Sequence, residues 1–216
     1  MIGSEVRIKC LAWRQGKAFS MGRASKQQQE RHREQILDIA ARQVKARGID
    51  GVTIPEVMAA AGLTVGGFYG HFSSKADLSA RAVARAFDVQ ATTFARIGEA
   101  NPGNHKAAMA SLVDFYFSDT HRYQLERSCP MAALSADVAR EPADSAARTA
   151  FAEGIQRNLT QLAGIGDAAG ETTSPEQRAE ALTTMAMAVG AIVMARATTG
   201  EPIADEILAA ARAALG

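Results

Sequence analysis

The sequence predicts an all-α protein of about nine helices, with a three-helix unit holding a helix-turn-helix first and a larger helical domain after it. Three observations carry that reading. Phe, Trp and Tyr make up only 6% of the 216 residues and alanine is abundant, a composition that favours helix over strand. Apolar residues recur at spacings of three and four, with no useful stretch of alternation. Stop and cap signals fall between the periodic stretches: Gly48, Thr53-Ile54-Pro55-Glu56, Gly62, Ser73-Ser74, Pro130, Ser174-Pro175-Glu176-Gln177 and Gly200.

The elements follow in order. Residues 1–20 show no clear period, and a second methionine, Met21, is the expected natural start. Residues 1–25 read as a flexible extension, and Arg23 and Lys26 as a short basic arm before the first helix. Ile36, Ala40 and Val44 mark one apolar stripe on a helix from Gln27 to Arg47. Thr53 caps a short helix with Pro55 and Glu56 in its first turn. Thr64 caps another through Phe72, and Ser73 or Ser74 caps a long one to about Ile97. Residues 26–74 form the helix-turn-helix unit and 75–216 the second domain, whose "HKAAMASLVDFYFSDTHRY" reads as a single helix. The last two helices are expected at 175–199 and 202–214.

Charge is uneven. Residues 1–81 carry 13 Lys/Arg against 7 Asp/Glu, and the remainder 11 against 16, for a net +1 overall. A basic N-terminal unit suits a polyanionic partner. No apolar run reaches the roughly 18 residues of a membrane span, and Arg7, Lys9, Arg14 and Lys17 interrupt any signal-peptide core. Two cysteines, Cys10 and Cys129, make no disulfide framework, and a reducing cytosol is the default.

The stretch "GLTVGGFYGHFSSK" (62–75) joins two helices with four glycines. A helix-turn-helix lays its second short helix in the DNA major groove. Gly66 and Gly67 keep that helix thin on its outer face, beside Val65, while Phe68 and Phe72 anchor the inner one. Thr53, Thr64, Tyr69, His71 and Lys75 are placed to meet phosphates, which position a protein without specifying sequence. A phosphate-binding loop of the Walker type is excluded, because no strand precedes Gly62 and no Gly-Lys-Ser/Thr is present. His32, His71, His105 and His121 lack metal-ligand spacing, no nucleophile–base arrangement stands out, and neither a metal, a cofactor nor catalysis is expected.

"GVTIPEVMAAAGLTVGGFYGHFSSKADL" resembles the DNA-binding module of the tetracycline-repressor (TetR) family of bacterial transcriptional regulators. Gly62, Thr64, Gly66, Phe68, Tyr69, His71, Phe72 and Lys75 fall on the family signature in register; Leu63 replaces a commoner valine, and Gly70 stands where a larger residue is frequent. The resemblance covers Gln28 to Leu78. It implies a cytoplasmic, nucleoid-associated homodimer on a palindromic double-stranded DNA operator, a repressor by default, released when a small molecule binds the C-terminal domain. It places the dimer's four-helix bundle on the last two helices, where Ala181, Met185, Ala188, Ile192 and Ala195 form either that interface or ordinary core.

Phe94, Met109, Phe115, Tyr116, Met131, Leu134, Phe151 and Met187 either line a cavity for a hydrophobic effector or are plain core. Cys129 precedes the helix that Pro130 opens, and is either a reactive thiol at a helix N-terminus or a small buried residue at the cavity edge. The competing reading for the whole chain is a helical small-molecule binder without DNA affinity.

Overall fold

The computed structural model describes residues 5–167 and 173–216, with side chains from residue 26 onward. The described residues form α-helices joined by short turns, without strand. The helices are α1 (Glu5–Arg47), α2 (Ile54–Ala60), α3 (Lys75–Ala100), α4 (His105–Tyr116), α5 (Asp119–Tyr123), α6 (Pro130–Arg140), α7 (Ala146–Ala163), α8 (Pro175–Ala197) and α9 (Pro202–Leu215), with 3-10 segments at Val65–Gly70 and Leu125–Arg127.

Helix α1 begins well before the Gln27 expected from periodicity, and so takes in most of the stretch read as an extension. That stretch contains no proline, so no residue in it lacks the amide a helix uses. Its stripe of Ile36, Ala40 and Val44 is buried, each Ile or Val adding roughly 1.5–3 kcal/mol by leaving water. Gly48 ends the helix at φ +78°, in the left-handed region that glycine enters without a Cβ penalty. The Thr53 hydroxyl accepts from the Glu56 amide while the Glu56 carboxylate accepts from the Thr53 amide, closing a capping box. Gly62, at φ +70°, turns the chain after α2.

Helix α3 is the axis of the molecule. Ser74 caps it by accepting from the Asp77 amide. Its first turns bury Leu78, Ala82 and Val83 in the core shared with α1. Arg85 then reaches back to α1, 2.7 Å from Asp38 and 2.9 Å from Glu34. Further along, α3 lies parallel to α7: Phe87 sits at Gly154 and, a few turns on, Gly98 sits at Ile165. The Phe87 ring also meets Phe151 edge-on at 5.4 Å.

The stretch read as one helix over 105–123 is two. Ser118 breaks it by capping α5, its hydroxyl accepting from the His121 amide. The two domains are pinned at several points. The buried Lys45 ammonium donates to the Ser128 carbonyl at 3.1 Å, and Asp137 on α6 accepts from the Ile49 amide at 3.3 Å. Within the second part of the chain, Arg196 of α8 donates to the carbonyls of His121 and Arg122, tying α8 to α5.

Helix α8 is long and apolar enough, by length and composition, to cross a membrane, although no uninterrupted apolar run suggested it. Here its inner face packs on α6, α7 and α9. The stripe Ala181, Met185, Ala188, Ile192 and Ala195 is that inner face and is buried within the single chain. The dimer assignment of these five residues is therefore corrected: a side chain enclosed by its own fold is not available to a second copy. The outward large apolar residues of α8 are Leu182, Met187, Val193 and Met194, with Ile203 on α9.

The α3–α7 contact gives a direct test. A Cβ at Gly154 would lie 2.3–2.7 Å from Phe87 ring atoms. Gly154→Ala should lower the unfolding free energy by about 1–3 kcal/mol through overpacking, and Phe87→Leu in the same chain should restore part of it. Urea titrations measure both; an unchanged midpoint for Gly154→Ala would refute the contact.

Candidate nucleic-acid interface and effector cavity

The outer face of the helix-turn-helix is built on the 3-10 segment Val65–Gly70, not the α-helix expected through Phe72. Three glycines in six residues weaken an α-helix by roughly 1 kcal/mol each, and the tighter turn results. Thr64 precedes the segment but its side chain makes no capping bond, so the expected cap is absent and its exposed hydroxyl points out of the ladder. Phe68 and Phe72 are buried and stacked at 5.5 Å. Val65 is 47% exposed and Tyr69 73%. The Gln29 amide on α1 donates to the Gly70 carbonyl at 3.0 Å, and Gln35 to the Ala61 carbonyl at 3.2 Å, fixing both ends of the turn against α1.

The glycines of this face have no internal explanation. Neither Gly66, Gly67 nor Gly70 has positive φ. A Cβ added at Gly66 or Gly70 would meet nothing within 4 Å, and one at Gly67 would only touch Met58 and Thr64 at ordinary distance. Space within the chain permits larger residues at all three positions. Among the described residues, therefore, no contact requires a bare backbone at these positions.

The other residues expected at this interface separate. The Thr53 hydroxyl is engaged in the capping box, donating to Glu56 at 2.8 Å. His71 is half-buried with its ring edge-on to His32 of α1 at 6.3 Å, and its Nδ1 has no partner. Burial and then the nearby His32 and Arg33 lower its pKa, so it packs as a neutral ring. Lys75 is exposed at the start of α3 and donates to the Asp50 carbonyl at 3.3 Å. Lys26 is exposed; the Arg23 side chain lies outside the described residues. Gln29 and Gln35 were missed, because their role depends on which face of α1 meets the turn.

In the second domain a cavity of about 30 Å³ lies among α3, α4, α6, α7, α8 and α9. That is room for a water or two, against about 300–1,000 Å³ for a typical ligand site. Phe94, Tyr116 and Met131 line it. Leu134 and Phe151 are core instead. Phe115 is one residue from Tyr116, hence about 100° around α4, and faces an outer groove. Met109 and Met187 line a separate surface recess beside the end of α9. Among the lining residues missed are the two polar ones, Gln90 and Thr184. Gln90 was findable: it lies four residues before Phe94, on the apolar stripe of α3.

Cys129 adjoins the cavity without lining it. It is buried, and its Sγ lies 3.5 Å from both ends of the Gln90 amide. Its backbone N–H donates to His121 Nε2 at 3.1 Å, which leaves the proton of a neutral ring on Nδ1. The His121 ring stacks obliquely on Tyr116 at 4.5 Å. The Tyr116 hydroxyl is buried without a hydrogen-bond partner, and burial raises its pKa. Burial pulls Lys45 down to about 8.

Comparison with known proteins bears on both regions. Residues 36–82 match the family model described as bacterial regulatory proteins, tetR family. Over 58 residues the chain is 40% identical to the HTH-type transcriptional regulator AcrR of Shigella flexneri, spanning 27% of each protein. The fold is similar to that of E. coli NemR in its reduced form, with TM-score 0.67 and 20% identity over 83% of this chain and 94% of that one. It is similar also to a TetR-family regulator from Agrobacterium tumefaciens, with TM-score 0.66 and 20% identity over 87% and 97%. At that identity the likeness is one of fold.

His121 yields a pH prediction. Burial, then the charges of Arg196 and Lys45, lower its pKa from 6.5 to about 4. The unfolded chain therefore takes up a proton near pH 6.5 that the folded chain refuses until about 4. The contribution is fully present above pH 6.5 and is lost as pH falls toward 4, by up to about 3 kcal/mol. Denaturant titrations across that window should show the loss, with a shallower slope in His121→Gln; equal slopes would contradict it.

Proposed function

From the match of residues 36–82 to the tetR family of bacterial regulatory proteins, we propose that the chain is a homodimeric repressor of that family, with those residues as its helix-turn-helix DNA-binding module. It binds a palindromic operator in double-stranded DNA, in the cytoplasm at the nucleoid, and is released by a small apolar effector or by modification of Cys129. The observation that carries this reading is the bare outer face of the 3-10 segment: Gly66, Gly67 and Gly70 need be glycine for nothing inside the chain. With the backbone against the groove floor, Val65 offers methyl groups to a thymine methyl. Thr64 and Tyr69 reach phosphates, with Lys26 and Lys75 flanking them. Few side chains remain for base edges, so DNA shape supplies much of the specificity.

Dimerisation is supported by the uncovered apolar side of α8 and α9, where Leu182, Val193, Met194 and Ile203 are 42–52% exposed. Gly190 lies beside them with no neighbour within 4 Å of an added Cβ, which suits close helix packing by a second copy. The effector occupies the α3–α8 cavity after its walls separate; Met131 and Met185 are the adaptable members. An effector that accepts a hydrogen bond from Tyr116 relieves a buried hydroxyl, worth about 1–3 kcal/mol. Release by thiol chemistry rests on the contact of Cys129 Sγ with Gln90, which lines that cavity.

Gel shifts on the DNA upstream of the chain's own gene test the reading. Gly67→Trp should abolish the shift while leaving the native dimer on size-exclusion chromatography. Binding by the unaltered chain should weaken steeply with salt as counterions are released. No shift at low salt would leave a small-molecule binder without DNA affinity. Cys129→Ser should remove the response to N-ethylmaleimide; an unchanged response would eliminate the thiol route.

A further inference from the structure

Between α1 and the second domain runs an outer groove of about 270 Å³, close to the lower end of small-molecule sites at about 300 Å³. Four cations line it: Arg42 and Lys45 from α1, Arg96 from α3, and Arg127 from the 3-10 turn before α6. None is ion-paired among the described residues. Arg96 donates to the Thr92 carbonyl on its own helix at 3.4 Å, Arg127 to the Gln124 side chain at 3.5 Å, and Lys45 to the Ser128 carbonyl. Two carboxylates share the groove. Asp38 is already held by Arg85 at 2.7 Å, which leaves Glu126 alone against the four. His121 reaches the groove as a neutral ring. Beside the cations lie two apolar side chains open to water, Val89 at 50% and Phe115 at 38%.

Unpaired cations next to exposed apolar surface suit a molecule with a negative head and an apolar body. We propose that this groove is a binding site for a small organic carboxylate, its headgroup among Arg42, Lys45, Arg96 and Arg127 and its body on Val89 and Phe115. The site is separate from the interior cavity, which no charged side chain lines. Its walls come from the DNA-binding unit on one side and the second domain on the other. An occupant therefore ties the two together and biases how α1 sits on α3.

Isothermal calorimetry and thermal unfolding of the full chain at low salt test this, with phenylacetate and hexanoate as probes and phenylacetamide and inorganic phosphate as controls. At least one carboxylate should bind and raise the melting temperature, while the neutral amide and the ion without an apolar body should not match it. The double variant Arg42→Gln/Arg96→Gln, altered at two exposed positions, should lose affinity by about tenfold or more, since charge-assisted bonds are the strong ones. Its circular dichroism and melting without ligand should match the parent chain. Tyr116→Phe should leave carboxylate binding unchanged. Four outcomes overturn the proposal: neither carboxylate binds, the amide binds equally, the double variant binds as tightly, or Tyr116→Phe abolishes binding and so assigns the ligand to the interior.

Discussion

The missing side chain at Gly154 lets the Phe87 ring occupy the space between α3 and α7, and the arrangement of the second domain depends on that contact. A methyl group there would meet ring carbon at well under van der Waals distance, and interiors packed to crystal density accommodate such changes poorly. With α7 held parallel and close, Gln90 and Phe94 of α3 and Leu162 of α7 converge on one cavity.

The same helix belongs to both halves of the molecule. Its N-terminal turns complete the helix-turn-helix core through Leu78 and Ala82, its middle pairs with α1 through Arg85, and its later turns wall the cavity. Gln90 and Phe94 at the cavity and Ser74 after the 3-10 turn therefore stand on or at the start of one helix. Lys45 and Asp137 tie the end of α1 and its following turn to α6 and the segment before it.

The parts of the fold legible in the sequence are those that local chemistry decides. The capping boxes at Thr53 and Ser174, the stops at Gly48 and Gly62 and the start of α6 at Pro130 depend on a few adjacent residues. The extents of the last two helices came out within two residues for the same reason. What failed needed three dimensions. Helix α8 has small apolar residues all round, Ala181 and Ala188 on one side and Ala186 and Gly190 on the other, so its stripe did not reveal which side faces in. Phe115 and Tyr116 are alike in sequence, but a turn of 100° sends one to a surface groove and one to the interior. The break at Ser118 was hidden because serine both continues and caps helices. Of the residues expected to meet DNA, Thr64, Val65, Gly66, Gly67 and Tyr69 are exposed, whereas Thr53 and His71 are turned to contacts inside the chain.

The bare face of the 3-10 segment has a thermodynamic consequence. Alanine at Gly66, Gly67 or Gly70 would meet no clash and no forbidden backbone angle. Each such exchange would narrow the unfolded ensemble and stabilise the folded chain by about 0.4–1 kcal/mol. The sequence leaves that stability unclaimed at three neighbouring positions. Melting temperature and activity are therefore decoupled here, and on this face a screen for the most stable variant would select against the approach that the glycines keep open.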